Sequence, residues 1–158
     1  MADLVDPTDV ESAVEKALRV LNAASQTRAG LMRKLERAGY AGRTAGEACD
    51  RIEAMGYIND RAYAQATLAK RQRQGRGVKV IASELRHKGI DGDLVDEILG
   101  ELNVEDEVER AAELAGKLLT RHRHEPRVRQ REHVMGGLVR RGYAPWVARR
   151  ALDKAAGD

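Results

Sequence analysis

Seven lysines and arginines stand between positions 70 and 88: Lys70, Arg71, Arg73, Arg76, Lys79, Arg86 and Lys88. One acid, Glu84, stands among them, so the run carries +6 in a chain whose whole net charge is +3. Such a run offers recognition of anions, and of phosphates above all, because cations that neutralise a nucleic-acid backbone release its counterions. A second basic block, residues 117–131, sets six cations against one acid and includes Arg121, Arg123, Arg127, Arg129 and Arg131. Between the two blocks, residues 89–113 carry ten acids and one base. Any single arginine in such a run is more simply a solvated helix surface. Two basic blocks separated by an acidic one favour contact with an anion.

Other chemistries find less support. Gly75-Arg76-Gly77 before a helix has the spelling of a small anion nest. It lacks the GK[ST] ending of a P-loop and the preceding strand of a dinucleotide fingerprint, so a plain connector is favoured. His122 and His124 stand near a helix end without a cysteine or a partner on the same helical face. No metal site is expected there, since polar or cationic groups complement a helix C-terminus in any case. Cys49 is the one cysteine, which excludes an internal disulfide and suits a reducing compartment. Tyr40 and Tyr143 follow glycines at apolar positions and are expected in the core, while Trp146 suits packing or partner contact equally. No paired carboxylates and no nucleophile–base set appear, so neither an enzyme nor a cofactor is expected.

The elements that must position these residues are helical. The chain has 158 residues, 34% of them charged, 3% aromatic and no Phe. A core of Leu, Val, Ile and Ala is left, which suits helix packing and lacks the β-branched and aromatic runs of strands. Nine helices are predicted. Thr8-Asp9-Val10-Glu11 and Thr44-Ala45-Gly46-Glu47 read as capping boxes for the first and third, and Ser25 as the cap of the second. Asn59 or Asp60 caps the fourth, Gly75 and Gly77 part it from the fifth, and Pro126 and Pro145 open the eighth and ninth. Gly136-Gly137 inside the eighth implies close packing or a bend.

Three helix endings share one form: Leu35 to Gly39-Tyr40, Leu85 to Gly89-Ile90, and Leu138 to Gly142-Tyr143. An apolar residue stands four positions before each leucine, namely Leu31, Ile81 and Val134. The glycines are 50 and 53 residues apart, a helical-repeat period. An all-α protein of three tandem three-helix repeats follows, over residues 1–58, 59–103 and 104–158. Repeats this small bury enough surface only by stacking, so an elongated, curved molecule is expected.

Tyr57-Ile58-Asn59-Asp60, Tyr63-Ala64, Gly75-x-Gly77, Ile81, Glu84-Leu85 and Lys88-Gly89-Ile90 together resemble the central motif of the RecX family. The resemblance covers nearly the whole chain and is strongest in the middle repeat; Gly30 stands where a glutamate is expected. It implies a cytoplasmic, monomeric regulator that binds the RecA–DNA filament along its groove. Inhibition of recombinase and ATPase activity in recombination, DNA repair and the SOS response would follow. Basic side chains would meet phosphates of single- or double-stranded DNA, and acidic ones the recombinase. The alternative is a helix-turn-helix-like DNA-binding protein, although the third helices begin without a set of base-reading side chains.

Overall fold

The computed structural model describes residues 4–158, which form nine α-helices and no strand. These are α1 (Val10–Ala23), α2 (Arg28–Arg37), α3 (Gly42–Ala54), α4 (Asp60–Arg73), α5 (Val78–His87), α6 (Gly92–Gly100), α7 (Val104–Arg121), α8 (Arg127–Arg140) and α9 (Pro145–Ala156). They fall into two compact units. One runs through Ala64 and takes in Arg86–Gly92; the other comprises Gln65–Leu85 and Asp93–Asp158.

In the first unit, Ala13, Val14 and Ala17 of α1 pack on Leu31 and Leu35 of α2 and on Ala48, Cys49 and Ile52 of α3. Small residues on α1 and α3 let the helices approach closely where no Phe is available to fill space. The helix starts differ in detail from the sequence expectation. Asp9 caps α1, accepting from the Ser12 amide at 3.0 Å, while Thr8 turns back to Asp6. Thr27, not Ser25, caps α2 through the Gly30 amide at 3.0 Å. Helix α3 begins at Gly42 without a side-chain cap, and Thr44 is buried inside it. The cause is the turn before it. Tyr40 donates its amide to Leu35 O and Ala41 donates to Pro7 O, so the chain re-enters helix three residues earlier than the capping box predicts.

In the second unit, Val108, Ala111, Ala115 and Leu118 of α7 meet Val134 and Leu138 of α8 and Val147, Ala148, Ala151 and Leu152 of α9. Helix α8 runs unbroken through Gly136-Gly137, and a Cβ on Gly137 would stand 3.0 Å from Leu118 Cδ1. Close packing on α7, not a bend, therefore accounts for Gly137. Both post-glycine tyrosines are in the core, as expected. Tyr40 shares a 2.6 Å hydrogen bond with Ser12 Oγ, and burial pushes the Tyr143 phenol above its ordinary pKa.

Each unit contains a junction built on the repeated glycine. Thr27 Oγ1 donates to Lys88 O at 2.7 Å, the Arg28 amide donates to Asp60 Oδ1 at 2.9 Å, and Gly89 lies against Ala29. At the start of α5, the Gly77 amide donates to Arg141 O (2.8 Å) and the Lys79 amide to Gly142 O (3.1 Å). Between them, the Val78 amide donates to Glu107 Oε1 (3.0 Å). Both junctions give a carboxylate to an early amide of a repeat's second helix; carbonyls of the next Leu-x3-Gly ending accept from helix amides at α5 and from the capping hydroxyl of Thr27 at α2. Gly142 is needed twice over. Its φ of +100° is reached easily only without a Cβ, and a Cβ there would stand 2.7 Å from Val80 Cβ and backbone N.

Gly142→Ala is therefore expected to destabilise the protein by about 2–4 kcal/mol, combining strained backbone with the loss of close approach. Gly157→Ala, also at positive φ but with nothing within 4 Å, is expected to cost about 1–2 kcal/mol, from the backbone alone. Urea denaturation of the two variants checks the difference.

Candidate functional site

The basic run of residues 70–88 is shared between the units. Lys70, Arg71, Arg73, Arg76 and Lys79 fall in the second, Arg86 and Lys88 in the first. Within the second unit the cations separate by what they touch. Arg71 turns its fork onto Glu84, with Nε 2.8 Å from Oε2 and Nη2 2.6 Å from Oε1, and its Nη1 donates to Gln74 at 2.8 Å. This half-buried bidentate pair joins α4 to α5 and consumes the donors a phosphate would need. Lys70, Arg73, Arg76 and Lys79 are exposed and have no ion-pair partner among the described residues. Lys70 and Arg73 complement the C-terminal dipole of α4. Arg76 and Lys79 stand at the N-terminal end of α5, where the dipole disfavours cations, so helix stability does not account for them.

The Gly75-Arg76-Gly77 connector is not an anion nest. Its three amides donate to Gln72 O, Arg71 O and Arg141 O at 3.0, 2.9 and 2.8 Å, which leaves none for a ligand.

The second basic block divides in the same way. Arg131 donates to Asp153 at 2.6 Å and to Asp158 at 2.9 Å, and Arg127 donates to Asp158 at 3.0 Å. These pairs tie α8 to the end of α9. Arg121, Arg123 and Arg129 are exposed, Arg123 donating only to His124 at 3.3 Å.

Two features lie outside the sequence expectation. In the first unit, a cavity of about 350 Å³ opens beside the start of α2, lined by Arg33, Lys34, Arg37, Tyr63 and Lys88, with Gln26 and Thr27 on its wall. Only Lys88 was a sequence candidate. Of the others, Arg33 and Lys34 lie between the buried leucines of α2 and Arg37 just beyond them, so a helical wheel of that segment would have shown the three on one basic side, and Tyr63 joins them from α4. In the second unit, His122 meets His133, not His124: their rings lie 4.8 Å apart with Glu125 against both. The two histidines stand eleven positions apart, one at the end of α7 and the other in α8, and nothing in the local pattern marks them as a pair. Elsewhere, Cys49 is fully buried, and burial pushes its thiol pKa up, as expected of a spectator in the core. Trp146 is half exposed.

Fold and surface together define a class: an all-α protein of small three-helix bundles with cations dispersed over helix ends and turns. The comparisons with known proteins narrow it. Residues 59–99 match the model of the RecX second three-helix domain. The chain is 34% identical over 148 residues to the regulatory protein RecX of Streptomyces coelicolor, covering 92% of this chain and 78% of that one. It is 33% identical over 143 residues to RecX of Mycobacterium avium, covering 88% and 82%. The crystal structure of RecX from Lactobacillus salivarius superposes with a TM-score of 0.87 at 22% identity, covering 94% of this chain and 97% of that one. A second crystal structure of regulatory protein RecX gives 0.80 at 26%, covering 91% and 71%. The chain belongs to the RecX family of regulatory proteins.

The division of the arginines is open to direct measurement. Arg71→Ala and Arg131→Ala are expected to lower the unfolding free energy by about 1–2 kcal/mol, because each strips a half-buried carboxylate of its bidentate or paired donor. Arg73→Ala and Arg129→Ala are expected to stay within about 0.5 kcal/mol of the parent. Thermal unfolding separates the two groups.

Proposed function

We propose that this chain binds the RecA–DNA filament and damps recombinase and ATPase activity in recombination and DNA repair. Membership of a family of regulatory proteins supports the regulatory role. The observation that carries the binding surface is the set Lys70, Arg73, Arg76 and Lys79 around the α4–α5 turn. They are exposed and outside the ion pairs that hold the fold, and two of them oppose the helix dipole. Cations kept in such positions suit phosphates of filament-bound DNA. Arg121, Arg123 and Arg129 offer a second set, and Arg33, Lys34, Arg37 and Lys88 a third in the first unit. Contacts that are individually weak add up when one chain carries several of them along a repeating polymer.

The acidic stretch suits contact with protein. Asp93 lies in the first turn of α6 and Glu105 and Asp106 in that of α7, where acids also complement the helix dipole. Sequence-specific duplex reading is not favoured. The third helices open with Gly42-Arg43, Gly92-Asp93 and Pro145-Trp146, a poor match to the Asn, Gln and Arg sets that read base edges. No described helix is long and apolar enough to cross a membrane. A cytoplasmic location and a monomeric state go with this reading.

The double reversal Arg73→Glu/Arg76→Glu should weaken binding to RecA filaments on single-stranded DNA by roughly tenfold or more. The slope of log affinity against log salt should shrink by roughly one to two, one counterion lost per cation. Fluorescence anisotropy over a salt series reads both. Unchanged affinity and slope would remove the α4–α5 turn from the contact.

A further inference from the structure

His122, Glu125 and His133 come from three different places: the C-cap of α7, the turn after it, and the second turn of α8. Their donor atoms all lie within 4.8 Å of one another. His122 Nδ1 is 3.1 Å from Glu125 Oε1 and His133 Nδ1 is 2.6 Å from Oε2, so the carboxylate sits between two imidazole nitrogens that face it. A tetrahedral ion with bonds of about 2.0–2.1 Å separates its ligands by roughly 3.3 Å. The two hydrogen-bonded contacts reach that with side-chain adjustments of under about an ångström, and the third pair, within 4.8 Å, closes by at most about 1.5 Å.

The backbone already holds the ligands in place. The Glu125 amide donates to His122 O at 3.0 Å, closing the turn. Gln130 Nε2 donates to Leu119 O at 2.9 Å, fixing α8 against the end of α7. Nearby positive charge would oppose a cation, but Arg127 and Arg131 turn their guanidinium groups to Asp158 and Asp153. Arg121, Arg123 and Arg129 are exposed to solvent, which screens them. Two imidazoles with one carboxylate and no thiolate form a donor set for Zn²⁺, Ni²⁺, Co²⁺ or Cu²⁺ rather than for Mg²⁺ or Ca²⁺. The partial exposure of all three residues leaves a fourth position to water or to a partner's side chain.

We propose that His122, Glu125 and His133 form a site for one divalent transition-metal ion, Zn²⁺ foremost, that fastens the end of α7 to α8. The site is independent of the filament-binding proposal. Its occupancy would stiffen the turn that carries Arg121 and Arg123.

The test uses the full chain stripped with a chelator and titrated with ZnCl₂ by isothermal calorimetry. One equivalent is expected, and Co²⁺ should give the visible absorption of a tetrahedral complex. Zn²⁺ at about a hundred times its dissociation constant should raise the Tm by roughly 5–10 °C. His133→Gln and Glu125→Gln should each weaken binding at least tenfold, while His124→Ala and His87→Ala should leave it unchanged. The stripped variants' melting curves establish that each is folded, and Glu125→Gln keeps the turn's size and hydrogen-bonding capacity. Substoichiometric binding, an absorption spectrum of octahedral Co²⁺ only, or equal affinity in His133→Gln and the parent would overturn the proposal.

Discussion

The amides at the start of α5 have no partners within their own helix, and they face Glu107 of α7 and the carbonyls that end α8. The rest of the second unit depends on how they are satisfied. Glu107, itself buried, supplies a carboxylate to the Val78 amide, and the carbonyls of Arg141 and Gly142 take the amides on either side. A negative group at a helix N-terminus meets both the free donors and the positive end of the dipole. Leaving one such donor unsatisfied costs about 1–3 kcal/mol, more than a typical exposed ion pair contributes. The approach is possible because Gly142 presents no Cβ to Val80. A related arrangement occurs at α2, where Asp60 takes the Arg28 amide, Lys88 O accepts from the hydroxyl of the capping Thr27, and Gly89 makes room beside Ala29. A recurring glycine ending thus does more than stop a helix: it is the surface on which the preceding repeat's second helix starts.

That constraint fixes the α4–α5 turn and with it the charges that face outward. Once Gly77 is tied to Arg141, the three amides of the Gly-Arg-Gly connector are all spent, and the side chains become the donors the turn has left for an anionic partner. Arg71 is drawn back onto Glu84, so the turn is braced from within by one arginine while its neighbours stay free for other contacts. Arg131 and Arg127 brace the C-terminal end in the same fashion. The division separates charges that hold the fold from charges turned to solvent. Bracing charges keep the scaffold rigid, and the remaining cations can be lost or altered without unfolding it.

Much of this was legible in the chain itself. The Leu-x3-Gly-apolar endings and their upstream partners marked the repeats, because a helix stop, a core leucine and a close glycine contact are all local requirements. The burial of Tyr40 and Tyr143 followed from the same periodicity, and that of Cys49 from the small-residue face of α3. Caps were misplaced by one to three residues at α1, α2 and α3, where several capping side chains compete and tertiary bonds such as Ala41 to Pro7 decide between them. Which arginines brace the fold was not legible, since Arg71 and Arg73 differ only in what lies across the turn. The basic cavity at α2 and the approach of His133 to His122 depend on packing over distances that no local pattern records.

The central claim is that this chain acts on the recombinase filament and not on DNA alone. The most direct measurement is ATP hydrolysis by RecA on single-stranded DNA as the protein is titrated in, with its binding to the same DNA without RecA followed in parallel. The account predicts that hydrolysis falls at protein concentrations well below those that saturate naked DNA. Hydrolysis that stays constant until the DNA itself is saturated, or that never changes, would contradict it.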